Sequence, residues 1–250
     1  MKSTMFLMVG MVVVLGSLSI GAVISDNFDT DHNYLVDGTA GTVWDGFVYN
    51  NGVSATQDTV VTAAAATGGA LNLQSSLGNW ENADDDGLLL YMDVAAGSDF
   101  VADVYISAYT WAYYHDTGLM ARASDVASID YVMSRYFNQW DIDNAIRSVD
   151  GGSTFNTNGT GDPVMPYLQL EKAGSLFTIR ASADGITYID MGSVDRPDMA
   201  NVAMQVGIYQ ATFSGETGNV TFDDFSLNVV PEPATLALLG LGGLVLRRRK

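Results

Sequence analysis

Apolar and polar residues alternate in short runs through most of this chain, and Gly, Asn and Asp interrupt them every 8 to 12 residues. A period of two over a few residues marks half-buried strands, and no long segment carries the 3.6-residue period of a helix. Strands are predicted over residues 70–74, 87–94, 99–114, 118–122 and 131–140. After a polar loop from Asp150 to Pro163 they resume over 167–172, 176–182, 187–191, 203–211 and 219–229. Ala173-Gly174 and Ala183-Asp184-Gly185 are hairpin turns, Asp-Gly being a strong turn signal. The alanine run Ala63–Ala66 is a candidate helical turn, ended at once by Thr67-Gly68-Gly69. The pattern predicts an all-β fold, an antiparallel two-sheet β-sandwich.

The two ends break the alternation. Lys2, the apolar run Met5–Leu15 and the small residues up to Ala22 follow the three-part plan of a secretory signal peptide, expected over residues 1–22. At the other end Pro231-Glu232-Pro233 precedes an apolar segment, 234–246, and the basic cluster Arg247-Arg248-Arg249-Lys250. As a helix that segment reaches roughly 20 Å at 1.5 Å per residue, short of a hydrocarbon core about 30 Å thick. The basic end is what a membrane stop with a cytoplasmic terminus requires. This tail resembles the PEP-CTERM sorting signal of Gram-negative bacteria. The resemblance implies transient anchoring in the inner membrane by 231–250, then cleavage near Pro231-Glu232-Pro233 by an exosortase working with the secretion machinery. The product would pass to the cell surface or extracellular matrix. The sandwich is left with residues 23–230.

That stretch holds six cations against 25 Asp and three Glu, a formal charge of −22. Such a surface repels nucleic acid and anionic membranes and favours cations. The absence of Cys excludes disulfides and thiol chemistry. Short carboxylates suit turns and oxygen-ligand sites, and Asp26, Asp29, Asp31, Asp223 and Asp224 form the best candidate for a structural Ca²⁺ site if first and last strands pair. A solvated acidic edge is the alternative.

Parity along 99–114 separates two rows. The even positions Phe100, Ala102, Val104, Ile106, Ala108, Thr110 and Ala112 read as a core row. From residue 103 the odd positions are Asp103, Tyr105, Ser107, Tyr109, Trp111 and Tyr113, stepping about 6.6 Å each, and their aromatics Tyr105, Tyr109, Trp111 and Tyr113 would suit stacking on sugar rings. Trp111 is the expected main platform. A bulge that flips the register would instead put these rings in the core.

The phrases Gly118-Leu119-Met120-Ala121-Arg122, Leu168-Gln169-Leu170-Glu171-Lys172-Ala173-Gly174, Ile179-Arg180-Ala181-Ser182-Ala183-Asp184-Gly185, Val206-Gly207-Ile208-Tyr209 and Val220-Thr221-Phe222-Asp223-Asp224-Phe225 follow one another in an order that resembles the concanavalin A-like lectin/glucanase jelly roll, in its laminin-G-like, DUF1349-type branch. The resemblance implies two stacked antiparallel sheets and often a glycan ligand. The Glu-x-Asp-x-x-Glu strand usual in the related glucanases does not occur. Glu81, Glu171 and Glu216 stand apart in sequence, and Asp141 and Asp143 share a parity beside a loop. No catalytic residue is therefore assigned. The expected function is a non-catalytic, lectin-like domain that binds extracellular polysaccharide. A structural matrix or biofilm protein without a small ligand is the alternative, and a polysaccharide-degrading glycosidase the third reading.

Overall fold

Strands make up nearly all of the regular structure. The computed structural model describes residues 22–49, 59–78, 80, 86–110, 112–124, 131–137, 141–147, 155–157 and 165–230. The first strands are β1 (Ala22–Asp26), β2 (His32–Asn33), β3 (Gly46–Val48), β4 (Val60–Thr67), β5 (Ala70–Ser76) and β6 (Leu88–Val94). Next come β7 (Asp99–Thr110), β8 (His115–Ala123), β9 (Tyr131–Phe137), β10 (Asp141–Arg147) and β11 (Phe155–Thr157). The chain closes with β12 (Tyr167–Ala173), β13 (Leu176–Ser182), β14 (Ile189–Asp195), β15 (Met204–Thr212) and β16 (Gly218–Val230). Among the described residues these form two sheets with antiparallel pairing. One runs β14-β13-β12-β7-β16-β5-β4-β2, with β1 also paired to β16, and the other runs β11-β10-β9-β8-β15-β6-β3. This is the expected two-sheet sandwich, and its first and last strands do pair.

The inner faces meet in one apolar core. Leu71, Leu73, Ala102, Val104, Leu168, Leu170 and Phe222 of the first sheet pack against Leu88, Leu90, Leu119, Ala121, Val206 and Ile208 of the second. Each of the larger side chains contributes roughly 1.5–3 kcal/mol by leaving water. A second apolar cluster lies on the outer face of the seven-stranded sheet: Trp80, Leu89, Met120, Tyr131, Met133, Ala145, Tyr209 and Ala211.

Several predicted elements are corrected. Ala63–Ala66 is not a helical turn but the middle of β4, with Ala64 and Ala66 buried against the core. Pairing with β5 outweighs the helical preference of alanine, and Gly68 and Gly69, at φ 62° and 85°, make the tight left-handed turn between the two strands. The strand predicted to reach Tyr114 stops at Thr110, and Tyr114 itself adopts φ 56°. The strand predicted over 131–140 ends at Phe137, and β10 follows, so Asp141 and Asp143 lie in a paired strand. β11 falls inside the stretch expected to be loop.

Candidate functional site

β16 changes partner part-way along. Its first half, Gly218–Phe222, pairs with β5, while Phe225–Val229 pairs with β1, Asp26 standing opposite Phe225. Asp223 and Asp224 sit at this change, and the ladder to β7 skips them, passing from Ile106–Phe222 to Val104–Phe225. A second irregularity skips Ser107. Two bulges side by side thus open the outer face of the nine-stranded sheet around Tyr105.

Tyr105 has Tyr167 as its cross-strand partner on β12, and the two rings stack with centroids 4.5 Å apart and planes 18° off parallel. Gly185 backs Tyr167 so closely that a Cβ there would come within 2.9 Å of the ring. The turn that carries Gly185 is fixed by Asp184, whose carboxylate accepts the backbone N–H of Ile186 at 2.9 Å and of Thr187 at 2.8 Å. Those hydrogen bonds, with one from Ser182, hold the Asp184 carboxyl below its usual range. Beside the stacked pair lies a hollow of about 200 Å³, bounded by Ser25, Asp103, Val104, Tyr105, Tyr167, Asp224, Phe225 and Ser226.

Its polar rim is anionic and partly ordered. Asp103 accepts a 2.8 Å hydrogen bond from Gln169 Nε2, and Gln169 Oε1 in turn accepts from Arg180 at 2.7 Å. Arg180 also binds Glu171 and, at 2.9 Å, Asp190. The Tyr188 phenol is pushed well above its ordinary value by burial and then by the charge of Asp103. Asp224 is exposed at the edge of the hollow.

The predicted aromatic row does not stay together. The skip at Ser107 reverses parity, so Tyr109 turns inward, packs against the core and stacks on the buried His115 at 4.5 Å. Tyr113 is half exposed at 50% and belongs to a separate patch at the end of the sandwich with Tyr114 and Phe213, at 41% and 48%. Trp111 lies outside the described residues. Among the described residues of the row, Tyr105 alone lines the hollow. Sequence reading missed Tyr167, Ser25 and Ser226. Tyr167 does share a parity with Gln169 and Glu171 opposite Leu168 and Leu170, but which strand it would face depends on a pairing more than 60 positions away.

The five acidic candidates are likewise distributed. Asp26 accepts from Phe28 N and from Trp44 Nε1, both at 2.8 Å. Asp31 accepts from Gly68 N at 3.2 Å, and Asp29 lies next to Gly69 in the same turn. Asp223 accepts from Ser107 Oγ at 2.7 Å, while Asp224 lines the hollow. Among the described residues no three His, Asp or Glu side chains gather as a metal ion would require. Of the carboxylates weighed for catalysis, Glu171 pairs with Arg180 and Glu216 accepts from Tyr113 N at 2.9 Å. Glu81 lies outside the described residues. The register puts Asp143 opposite Arg135, which stands opposite Gly118.

Comparison with known proteins bears on both the tail and the fold. Residues 229–250 match the PEP-CTERM protein-sorting motif. The motif supports exosortase-sorted export to the cell surface, with a membrane-anchoring region at the C-terminus before processing. Residues 1–21 of the predicted signal peptide and the sorting residues Pro231, Glu232, Pro233, Arg247, Arg248 and Arg249 lie outside the described residues, while Ala22, its expected last residue, opens β1. No curated protein matches the chain in sequence. Solved structures do match in shape. The GH43 protein BlXynB of Bacillus licheniformis is 16% identical with a TM-score of 0.58, and 82% of this chain aligns with 39% of that one. LamAcat of Zobellia galactanivorans is 11% identical with a TM-score of 0.54, over 84% of this chain and 98% of that one. A functionally unknown protein of Saccharomyces cerevisiae is 17% identical with a TM-score of 0.53, over 72% and 98%. At these identities the likeness establishes the fold, a jelly-roll β-sandwich.

Proposed function

We propose that the protein is a non-catalytic glycan-binding domain displayed at the cell surface or in the extracellular matrix. One observation carries the reading: the stacked Tyr105–Tyr167 pair stands beside an open hollow whose rim supplies carboxylates and hydroxyls. Flat rings accept the apolar face of a pyranose, and Asp103, Asp224, Ser25 and Ser226 are placed to accept or exchange hydrogen bonds with sugar hydroxyls. The sorting tail is consistent with a place where polysaccharide is abundant. A ring stacked on Tyr105 contributes about 0.5–1.5 kcal/mol beyond its buried area, so one site is weak and crowding of copies on a surface supplies avidity.

The test is retention on insoluble polysaccharides together with a glycan array, using the exported protein and its Tyr105→Ala variant. Retention by the parent and loss in the variant, with melting unchanged, supports the proposal. Absence of any glycan ligand leaves the reading as a structural matrix protein. A hydrolase would need two carboxyl groups about 5–10 Å apart across the sugar, and Asp103 and Asp224 are the pair at hand. Release of reducing ends by the parent but not by Asp224→Asn would replace the lectin reading with that one.

A further inference from the structure

We infer that this hollow selects a cationic sugar, a hexosamine with a free ammonium group, over neutral and anionic glycans. The inference rests on the glycan-binding reading of the same hollow and adds the chemical class of the ligand. The charged residues among its lining are Asp103 and Asp224, both anionic, flanking the stacked tyrosines. An ammonium group between an aromatic face and carboxylates gains both a cation–π contact and charge-assisted hydrogen bonds. The neighbouring guanidinium of Arg180 is turned to Gln169, Glu171 and Asp190. Burial first, and then the charge of Asp103, hold the Tyr188 phenol above its ordinary value, so the Asp103 carboxylate is felt by its neighbours.

Size and charge both narrow the ligand. At about 200 Å³ the hollow is smaller than the roughly 300 Å³ at which pockets for whole drug-sized ligands begin, so it takes a single ring of a chain. The charge of −22 over residues 23–230 repels uronates and sulfated sugars before they reach the site and concentrates cationic ones. N-acetylation would remove the charge and add bulk. Asp224, exposed at the rim, is the residue assigned to the ammonium, and Tyr105 the one assigned to the ring.

Calorimetry on the exported protein decides the matter with three probes of equal length: a glucosamine oligomer, its fully N-acetylated form and an oligogalacturonate. The glucosamine oligomer should bind about tenfold more tightly than the acetylated one, the scale of one good charge-assisted contact, and the galacturonate should not bind. Asp224→Asn should bring the first two within about threefold of each other, with the larger loss falling on the glucosamine oligomer. Tyr105→Ala should lose both. Equal affinity for free and acetylated oligomers overturns the selectivity while leaving glycan binding in place. Glucosamine binding that neither substitution alters is attraction to the acidic surface as a whole, and it overturns the assignment to the hollow. Failure of all three probes and of the glycan array overturns the parent reading itself.

Discussion

The two outer faces of the sandwich use similar residues to opposite ends. On the seven-stranded sheet Tyr131 and Tyr209 are 1% and 0% exposed, sealed with Trp80, Met120 and Met133 into a second apolar cluster. Trp80 is the reason. Its carbonyl accepts from the Tyr131 hydroxyl, its ring lies under Arg122 at 5.6 Å, and the ring sits so close to Gly87 that no side chain there, not even a methyl group, would fit. On the nine-stranded sheet Tyr105 and Tyr167 stack on each other and border an open hollow, with no such cover among the described residues. Aromatic character therefore does not separate core from binding surface in this fold. What separates them is whether another segment lies across the face.

The sharpest way to break this contrast is to remove the cover. Trp80→Ala should cost about 3–5 kcal/mol, as deletion of a buried Trp does, visible as a large drop in the denaturation midpoint. A cost under about 1 kcal/mol would mean that the cluster is dispensable and the two faces are equivalent.

Between the sheets, His115 probes the buried side of β8. Burial lowers its pKa from 6.5 to about 4 despite the hydrogen bond to Thr110 O. The unfolded chain takes up the proton as pH falls below 6.5, whereas the folded one does so only near 4. Stability tied to neutral His115 is thus complete above pH 6.5 and is lost as pH falls to 4, by roughly 3 kcal/mol. His115→Phe keeps a ring against Tyr109 and should flatten that part of the stability–pH curve. Parallel curves for parent and variant would count against the buried neutral imidazole.

Tyr105→Ala is the mirror experiment of Trp80→Ala, with an expected stability cost of about 0.5–1 kcal/mol or less and loss of glycan retention. A cost several times larger would place Tyr105 with the core residues. Calcium should have the smallest effect. Asp26 and Asp31 already accept backbone or indole N–H groups, and Asp223 a serine hydroxyl, so melting in EDTA and in millimolar Ca²⁺ should agree within about a degree. A clear rise with calcium would restore the predicted Asp26, Asp29, Asp31, Asp223 and Asp224 set.

Local chemistry made much of this sandwich readable in advance. Ala183-Asp184-Gly185 forms a turn because the Asp184 carboxylate can reach backbone N–H groups two and three residues on. The even row Phe100, Ala102, Val104 and Ile106 is core because strand parity requires one buried face. What lay beyond reading was set by pairing at long range. The skip at Ser107 exists because β7 must match a bulged β16 more than 100 positions away, and that mismatch sends Tyr109 inward while Tyr105 stays out. Ala63–Ala66 is a different case, a local hairpin in which the ladder offered by β5 overrides the helical preference of alanine. The cover on the other face rests on Trp80, which no periodicity within β8, β9 or β15 announces.

One further consequence concerns force. β16 ends at Val230, immediately before the sorting tail, and Ala22 of β1 stands opposite Val229. A pull applied at Val230 along the axis of β16 would load that strand lengthwise. Its hydrogen bonds to β1 on one side and β7 on the other are then loaded in shear and must yield together, whereas a strand drawn sideways would unzip one bond at a time. Under such an axial load the last strand would resist as one unit, shielding the sandwich behind it.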